Sequence, residues 1–136
     1  MRDGARGRVL VVEDEDETRL AYRAILEQAG WEVEEAVSGD EALRLARQAP
    51  PSLMLVDISI PGLHGWETTR QVKLGATTRS VPVLAVTGHA LDEDRRRATE
   101  VGCDGYLVKP VSAEELVSVV ERLATPTGTA REVMPG

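Results

Sequence analysis

LMLVDISIPGLHG, residues 53–65, is the segment on which the fold turns. Leu53 to Val56 run without a polar interruption, the mark of a short strand covered on both faces within a parallel sheet. The run stops on an acid, Asp57, and Pro61-Gly62 then supplies turn chemistry. Similar apolar runs lie on either side: Val9 to Val12 upstream, and Val81 to Val86 and Tyr106 to Val108 downstream. Val33, Ala36 and Val37 belong to a weaker, more acidic strand, as expected nearer a sheet edge.

Between the strands the hydrophobic period changes to that of helices. Ala21, Ala24, Ile25 and Gln28 follow helical spacing, and Gly30 stands where a helix closes. Ser38 and Glu41 form a capping box before Ala42, Leu45, Ala46 and Ala49. Ser112 and Glu115 repeat the device before Leu116, Val119, Val120 and Leu123. Thr68 to Leu74 reads as a third helix and Leu91 to Val101 as a fourth, the latter with only Leu91, Ala98 and Val101 as apolar anchors. Strands alternating with helices five times predict a doubly wound α/β domain over residues 7–124. Residues 1–6 and 125–136 carry no periodicity and are expected to be flexible termini.

Composition narrows the function. The chain has 136 residues, 42% of them hydrophobic, and no Phe, so one largely aliphatic core is expected. A net charge of −7 opposes direct nucleic-acid binding, which needs clustered Lys and Arg to neutralise phosphates. The one basic run, Arg95 to Arg97, is flanked by acids and reads as a solvated helix face. No apolar stretch approaches the roughly 20 residues of a membrane span, and no signal-peptide core follows the charged start, so a cytoplasmic protein is expected. The single Cys103 excludes an internal disulfide, and acidic neighbours make it a poor nucleophile.

In open parallel sheets, ligands sit beyond the carboxyl ends of the strands. At those ends stand Glu13 and Asp14, Asp57, Thr87 and Lys109. Each alone has an ordinary reading as a cap or surface residue; as a set at four strand ends they define one pocket. Two carboxylates about 4 Å apart repel by roughly 4 kcal/mol at an effective dielectric near 20, so three of them would either raise a pKa or recruit a cation. All-oxygen ligands suit Mg²⁺ or Mn²⁺. With the Lys109 ammonium and the Thr87 hydroxyl, the set suits the oxygens of a phosphoryl group, and Asp57 is left as its nucleophile.

VVEDEDETR (11–19), LMLVDISIPGLHG (53–65), VPVLAVTGHA (81–90) and GCDGYLVKP (102–110) resemble, in order, the signature segments of response-regulator receiver domains. That resemblance covers roughly residues 7–124 and implies a flavodoxin-like (β/α)5 fold with strand order 2-1-3-4-5. It implies that Asp57 is the phosphoacceptor, assisted by Lys109 and Thr87. Glu13, Asp14, Asp57 and the Ser59 backbone carbonyl would hold the metal, Tyr106 would be the aromatic switch, and the Lys109-Pro110 bond would be cis. His64, where Asp is common, and Val111, where Phe is common, depart from the pattern without touching the chemistry, and Glu13 makes the acidic pair Glu-Asp. His89 lies near the pocket rim, Gly88 reads equally as leaving its entrance open or as a turn glycine, and Trp31 and Trp66 read as packing or surface residues.

The implied function is a stand-alone receiver in a phosphorelay, an enzyme only toward its own phosphorylation and dephosphorylation. A sensor histidine kinase or histidine phosphotransfer protein would phosphorylate it, and the surface of the fourth helix, fifth strand and fifth helix would then engage a downstream target protein. The alternative is a receiver-shaped docking module that works unphosphorylated. A nucleotide-binding or hydrolytic enzyme fits worse: the turn after the first strand has acids where a phosphate cradle needs glycines, and Ile58 to Pro61 holds no second catalytic acid.

Overall fold

The computed structural model describes residues 6–58, 65–88 and 92–124, with the backbone alone for Asp92 and Glu93. Ser59, Pro61, Gly62, His64, His89, Leu91 and residues 1–5 and 125–136 lie outside the described residues. The elements alternate in chain order: β1 (Arg8–Val12), α1 (Asp16–Gln28), β2 (Glu32–Ala36), α2 (Gly39–Gln48), β3 (Leu53–Asp57), α3 (Gly65–Leu74), β4 (Val83–Thr87), α4 (Asp92–Val101), β5 (Gly105–Val108) and α5 (Ala113–Ala124). The strands form one parallel sheet in the order β2-β1-β3-β4-β5, the doubly wound topology implied by the sequence.

The apolar runs of β1, β3 and β4 are buried throughout, because successive side chains enter opposite cores. Val9, Val11, Leu53, Leu55, Leu84 and Val86 face α1 and α5 on one side. Leu10, Val12, Met54, Val56 and Val83 face the other, with Ala42, Ala46 and Val72 from α2 and α3. Edge strand β2 keeps three glutamates, and Glu35 is bridged to Arg19 at 3.0 Å and Arg23 at 2.5 Å, which fastens α1 to that edge. Those guanidiniums, Arg23 first, hold the Glu35 carboxyl below the usual range.

The serine half of each expected capping box forms: Glu41 N donates to Ser38 Oγ at 3.1 Å and Glu115 N to Ser112 Oγ at 3.0 Å, while Glu41 Oε1 accepts from Val37 N at 2.8 Å. Gly30 closes α1 with φ of 100°, which a side chain would resist. Three expectations need correction. The inward stripe of α1 is Tyr22 and Leu26, with Ile25 and Ala29 partly buried, whereas Ala21, Ala24 and Gln28 are exposed. Two helical stripes compete there, and the one with the larger side chains removes more apolar surface from water. Val37 is exposed beyond the end of β2, and α3 begins at Gly65 rather than Thr68. Arg6, ahead of the expected domain start, is tied in by its N–H to Gly30 O and by an ion pair with Glu121, each at 2.9 Å.

Candidate phosphoryl-acceptor site

Asp57 ends β3, Thr87 ends β4, and Glu13 and Lys109 directly follow β1 and β5. The register pairs Val12 with Val56, Asp57 with Val86 and Thr87 with Val108, so these residues come level along one edge. They sit where β1 has neighbours on both sides and its crossovers diverge, the place where such sheets open a crevice.

Glu13 is fully buried. Its backbone N–H donates to Ala36 O at 3.0 Å, and its Oε2 accepts from Glu15 N at 3.0 Å. Its Oε1 is buried and receives no hydrogen bond, while the group beside this carboxyl is that of Asp57. Burial first, and then contact with Asp57, push the Glu13 carboxyl up to about 8. A carboxyl raised in this way favours its protonated form, which eases the repulsion between the two buried acids.

Lys109 Nζ lies 2.5 Å from Asp57 Oδ2, with the lysine side chain 29% exposed and the Asp57 side chain fully buried. Burial works against the ammonium, but the bond to Asp57 and the charges of Asp57, Glu13 and Glu15 outweigh it and raise the lysine's pKa. Lys109 N also donates to Thr87 O at 2.8 Å, which locks the two strand ends together, and the Lys109-Pro110 bond is cis. Thr87 is buried, and its hydroxyl is paired with the Tyr106 phenol. Asp57 with the Lys109 ammonium, the Lys109 backbone N–H with the Thr87 carbonyl, and the Thr87 side chain with Tyr106 thus make successive contacts along this edge.

Asp14 is exposed, one residue beyond the buried pair, and among the described residues no three His, Cys, Asp or Glu side chains are grouped to hold a metal. The Glu13–Asp57 pair nevertheless fits Mg²⁺, which binds through one or two carboxylates and keeps several waters. The unbonded Glu13 oxygen is the kind of atom such an ion satisfies. Sequence reasoning missed two supports. Gly65 opens α3 against β3's exit: a Cβ there would lie 2.6 Å from Ile58 Cγ2, a close approach signalled only by the glycine itself. Tyr22 brings a buried phenol within the field of Asp57 and Glu13, and burial first, then those charges, raise its pKa.

Known proteins share this architecture. The polar-differentiation response regulator DivK of Brucella ovis is 36% identical over 113 residues, 83% of this chain and 92% of that protein. The chemotaxis protein CheY4 of Vibrio cholerae superposes with a TM-score of 0.82 at 32% identity, covering 88% of this chain and 99% of that one. The receiver domain of the sensor histidine kinase PA1611 of Pseudomonas aeruginosa, with a magnesium ion coordinated in its active-site cleft, gives 0.81 at 31%, covering 88% and 98%. The response regulator receiver domain family matches residues 9–121, and the chain belongs to that family, the receivers of two-component signalling.

Proposed function

We propose that Asp57 accepts a phosphoryl group from the phosphohistidine of a sensor histidine kinase or histidine phosphotransfer protein. The observation that carries this is the Asp57 carboxylate set between a buried partner acid and the Lys109 ammonium at 2.5 Å. An Asp57 oxygen attacks phosphorus; the P–N bond breaks as the O–P bond forms, and the departing imidazole keeps the electron pair and takes a proton. Lys109 turns from Asp57 toward a phosphoryl oxygen, and Thr87 donates to another.

Glu13, Asp14, Asp57 and the Ser59 carbonyl would hold Mg²⁺, or Mn²⁺ in its place, and the bound ion supplies charge neutralisation at the phosphoryl oxygens. Once the Thr87 hydroxyl turns to the phosphoryl oxygen, Tyr106 loses that bond and follows, and the α4–β5–α5 surface then changes its preference for a downstream protein. The chain catalyses only its own phosphorylation and dephosphorylation. A cytoplasmic site of action fits the reading, and no described helix is long and apolar enough to cross a membrane. Incubation with acetyl phosphate and Mg²⁺ should add one phosphoryl mass, lost wholly in Asp57→Asn. Full labelling of that variant would assign the acceptor elsewhere, and no labelling of the parent would favour phosphorylation-independent docking.

A further inference from the structure

α4 is seated with little apolar burial. Among its described side chains Ala98, 3% exposed, is the buried one, and Val101 is half-buried. The polar remainder includes three consecutive exposed arginines. Two of these meet aromatic rings on different elements. The Arg95 guanidinium stands 5.5 Å from the centre of the Tyr106 ring on β5, and that of Arg97 stands 5.5 Å from the centre of the Trp66 ring on α3. A guanidinium within about 6 Å of a ring centre is attracted to the ring's electron-rich face.

We infer that Arg95 and Arg97 are positioning residues that clamp α4 to the switch aromatic and to α3, and that Arg95 thereby sets how readily the Thr87–Tyr106 pair changes state. The inference rests on the proposed phosphoryl acceptor for its consequence, and on the ring contacts alone for its existence. Tyr106 is hydrogen-bonded to Thr87 at one end and covered by Arg95 on its face, so the ring cannot move without giving up a contact at each. Asp94 also acts on the Tyr106 phenol electrostatically, opposite in sign to Arg95. Arg97 anchors the next part of the helix to Trp66, one residue after the Gly65 that abuts Ile58. The arrangement these contacts stabilise is the one in which Lys109 closes directly on Asp57. A contact present in one state and lost in the other biases the equilibrium by its own free energy.

An exposed cation–π contact is worth about a two- to fivefold change in such an equilibrium. The full chain and its Arg95→Ala, Arg95→Lys and Arg97→Ala variants are compared by two measurements. In the free protein, amide hydrogen exchange along α4 should be about two- to fivefold faster in both alanine variants, with the urea midpoint of the whole domain lowered by no more than the same contact accounts for. Titration with beryllofluoride and Mg²⁺, read by Trp66 fluorescence and by NMR of Tyr106, should half-saturate at about two- to fivefold lower concentration in Arg95→Ala, with Arg95→Lys between it and the parent. Unchanged α4 exchange in both alanine variants overturns the clamp, and so does Arg95→Lys behaving as Arg95→Ala. If beryllofluoride binds none of the proteins, parent included, the phosphoryl reading fails, and the α4 exchange rates still decide whether the clamp exists.

Discussion

Lys109→Ala is the perturbation that bears most directly on the resting charge balance of the pocket. The ammonium stands 2.5 Å from Asp57 Oδ2, and the Asp57 side chain has no exposure to solvent. At an effective dielectric near 20, unit charges at that separation attract by about 6–7 kcal/mol. Part of this is offset by the desolvation of the lysine, which keeps 29% of its side chain in water. Removing one partner of such a pair leaves the other charge buried and uncompensated, at a cost of roughly 3–5 kcal/mol near neutral pH. Asp57→Asn removes the other charge, so the double variant should be less destabilised than the singles together by on the order of 2–3 kcal/mol. The deficit of Lys109→Ala should also shrink as pH falls toward 5, because an additional proton on the carboxyl pair replaces the missing cation. Urea denaturation by circular dichroism, in a chelating buffer at several pH values, measures all of these quantities. Additive single variants, with a Lys109→Ala deficit independent of pH, would refute the reasoning.

Other outcomes follow from the same site. Glu13 binds its proton up to about pH 8 when folded against 4.5 when unfolded. Its contribution is therefore complete below about pH 4.5 and is lost as pH rises through 8; at about 1.4 kcal/mol per tenfold change in proton affinity, the loss is on the order of 3–5 kcal/mol. Glu13→Gln should abolish this decline, and saturating Mg²⁺ should reduce it in the parent; a parent-minus-variant stability difference that is flat from pH 5 to 8 contradicts the assignment. Asp14→Ala, at an exposed position, should leave stability within about 0.5 kcal/mol while removing calorimetric Mg²⁺ binding; retained affinity would sink that ligand assignment. Thr87→Ala should still accept the phosphoryl group yet show smaller NMR shifts from α4 to α5 with beryllofluoride, since one hydrogen bond of about 0.5–1.5 kcal/mol couples the pocket to Tyr106. Equal shifts in parent and variant would move the coupling elsewhere.

The fold was legible because the central strands are unambiguous: a run such as Leu53 to Val56 has no amphipathic helical reading and ends on a polar residue. The members of the pocket were legible for a related reason, since a polar residue ending an apolar strand must emerge at the carboxyl edge of the sheet. What stayed hidden depends on competition between similar side chains or on distances between elements. In α1, Ala21-Ala24-Ile25-Gln28 and Tyr22-Ile25-Leu26-Ala29 have the same spacing, and only the greater burial of Tyr22 and Leu26 decides between them. At α3, a poor helix former opens the helix, so propensity delays its apparent start to Thr68, while the approach to Ile58 puts Gly65 there. The division of labour between Glu13 and Asp14 was equally hidden, since adjacent residues leaving a strand take opposite sides and the sequence does not say which side is buried.

On the proposed function, the polar character of α4 suits it to control by so charged a pocket. Moving a two-state equilibrium from 1:99 to 99:1 takes about 5.5 kcal/mol of differential interaction. A relocated Lys109 charge is of that order by itself, given its separation from Asp57. The Thr87 hydrogen bond and the Arg95 ring contact are each worth about 1 kcal/mol, too little to drive the change but enough to set where it begins. Had α4 been anchored like α5, whose Leu116 and Val120 are fully buried, each anchor would have added roughly 1.5–3 kcal/mol against movement, and the charge in the pocket would have been insufficient. On the proposed function, the polar sequence of α4 is what would let electrostatics at Asp57 reach the surface, and adding apolar anchors to that helix should weaken the response while leaving phosphoryl transfer intact.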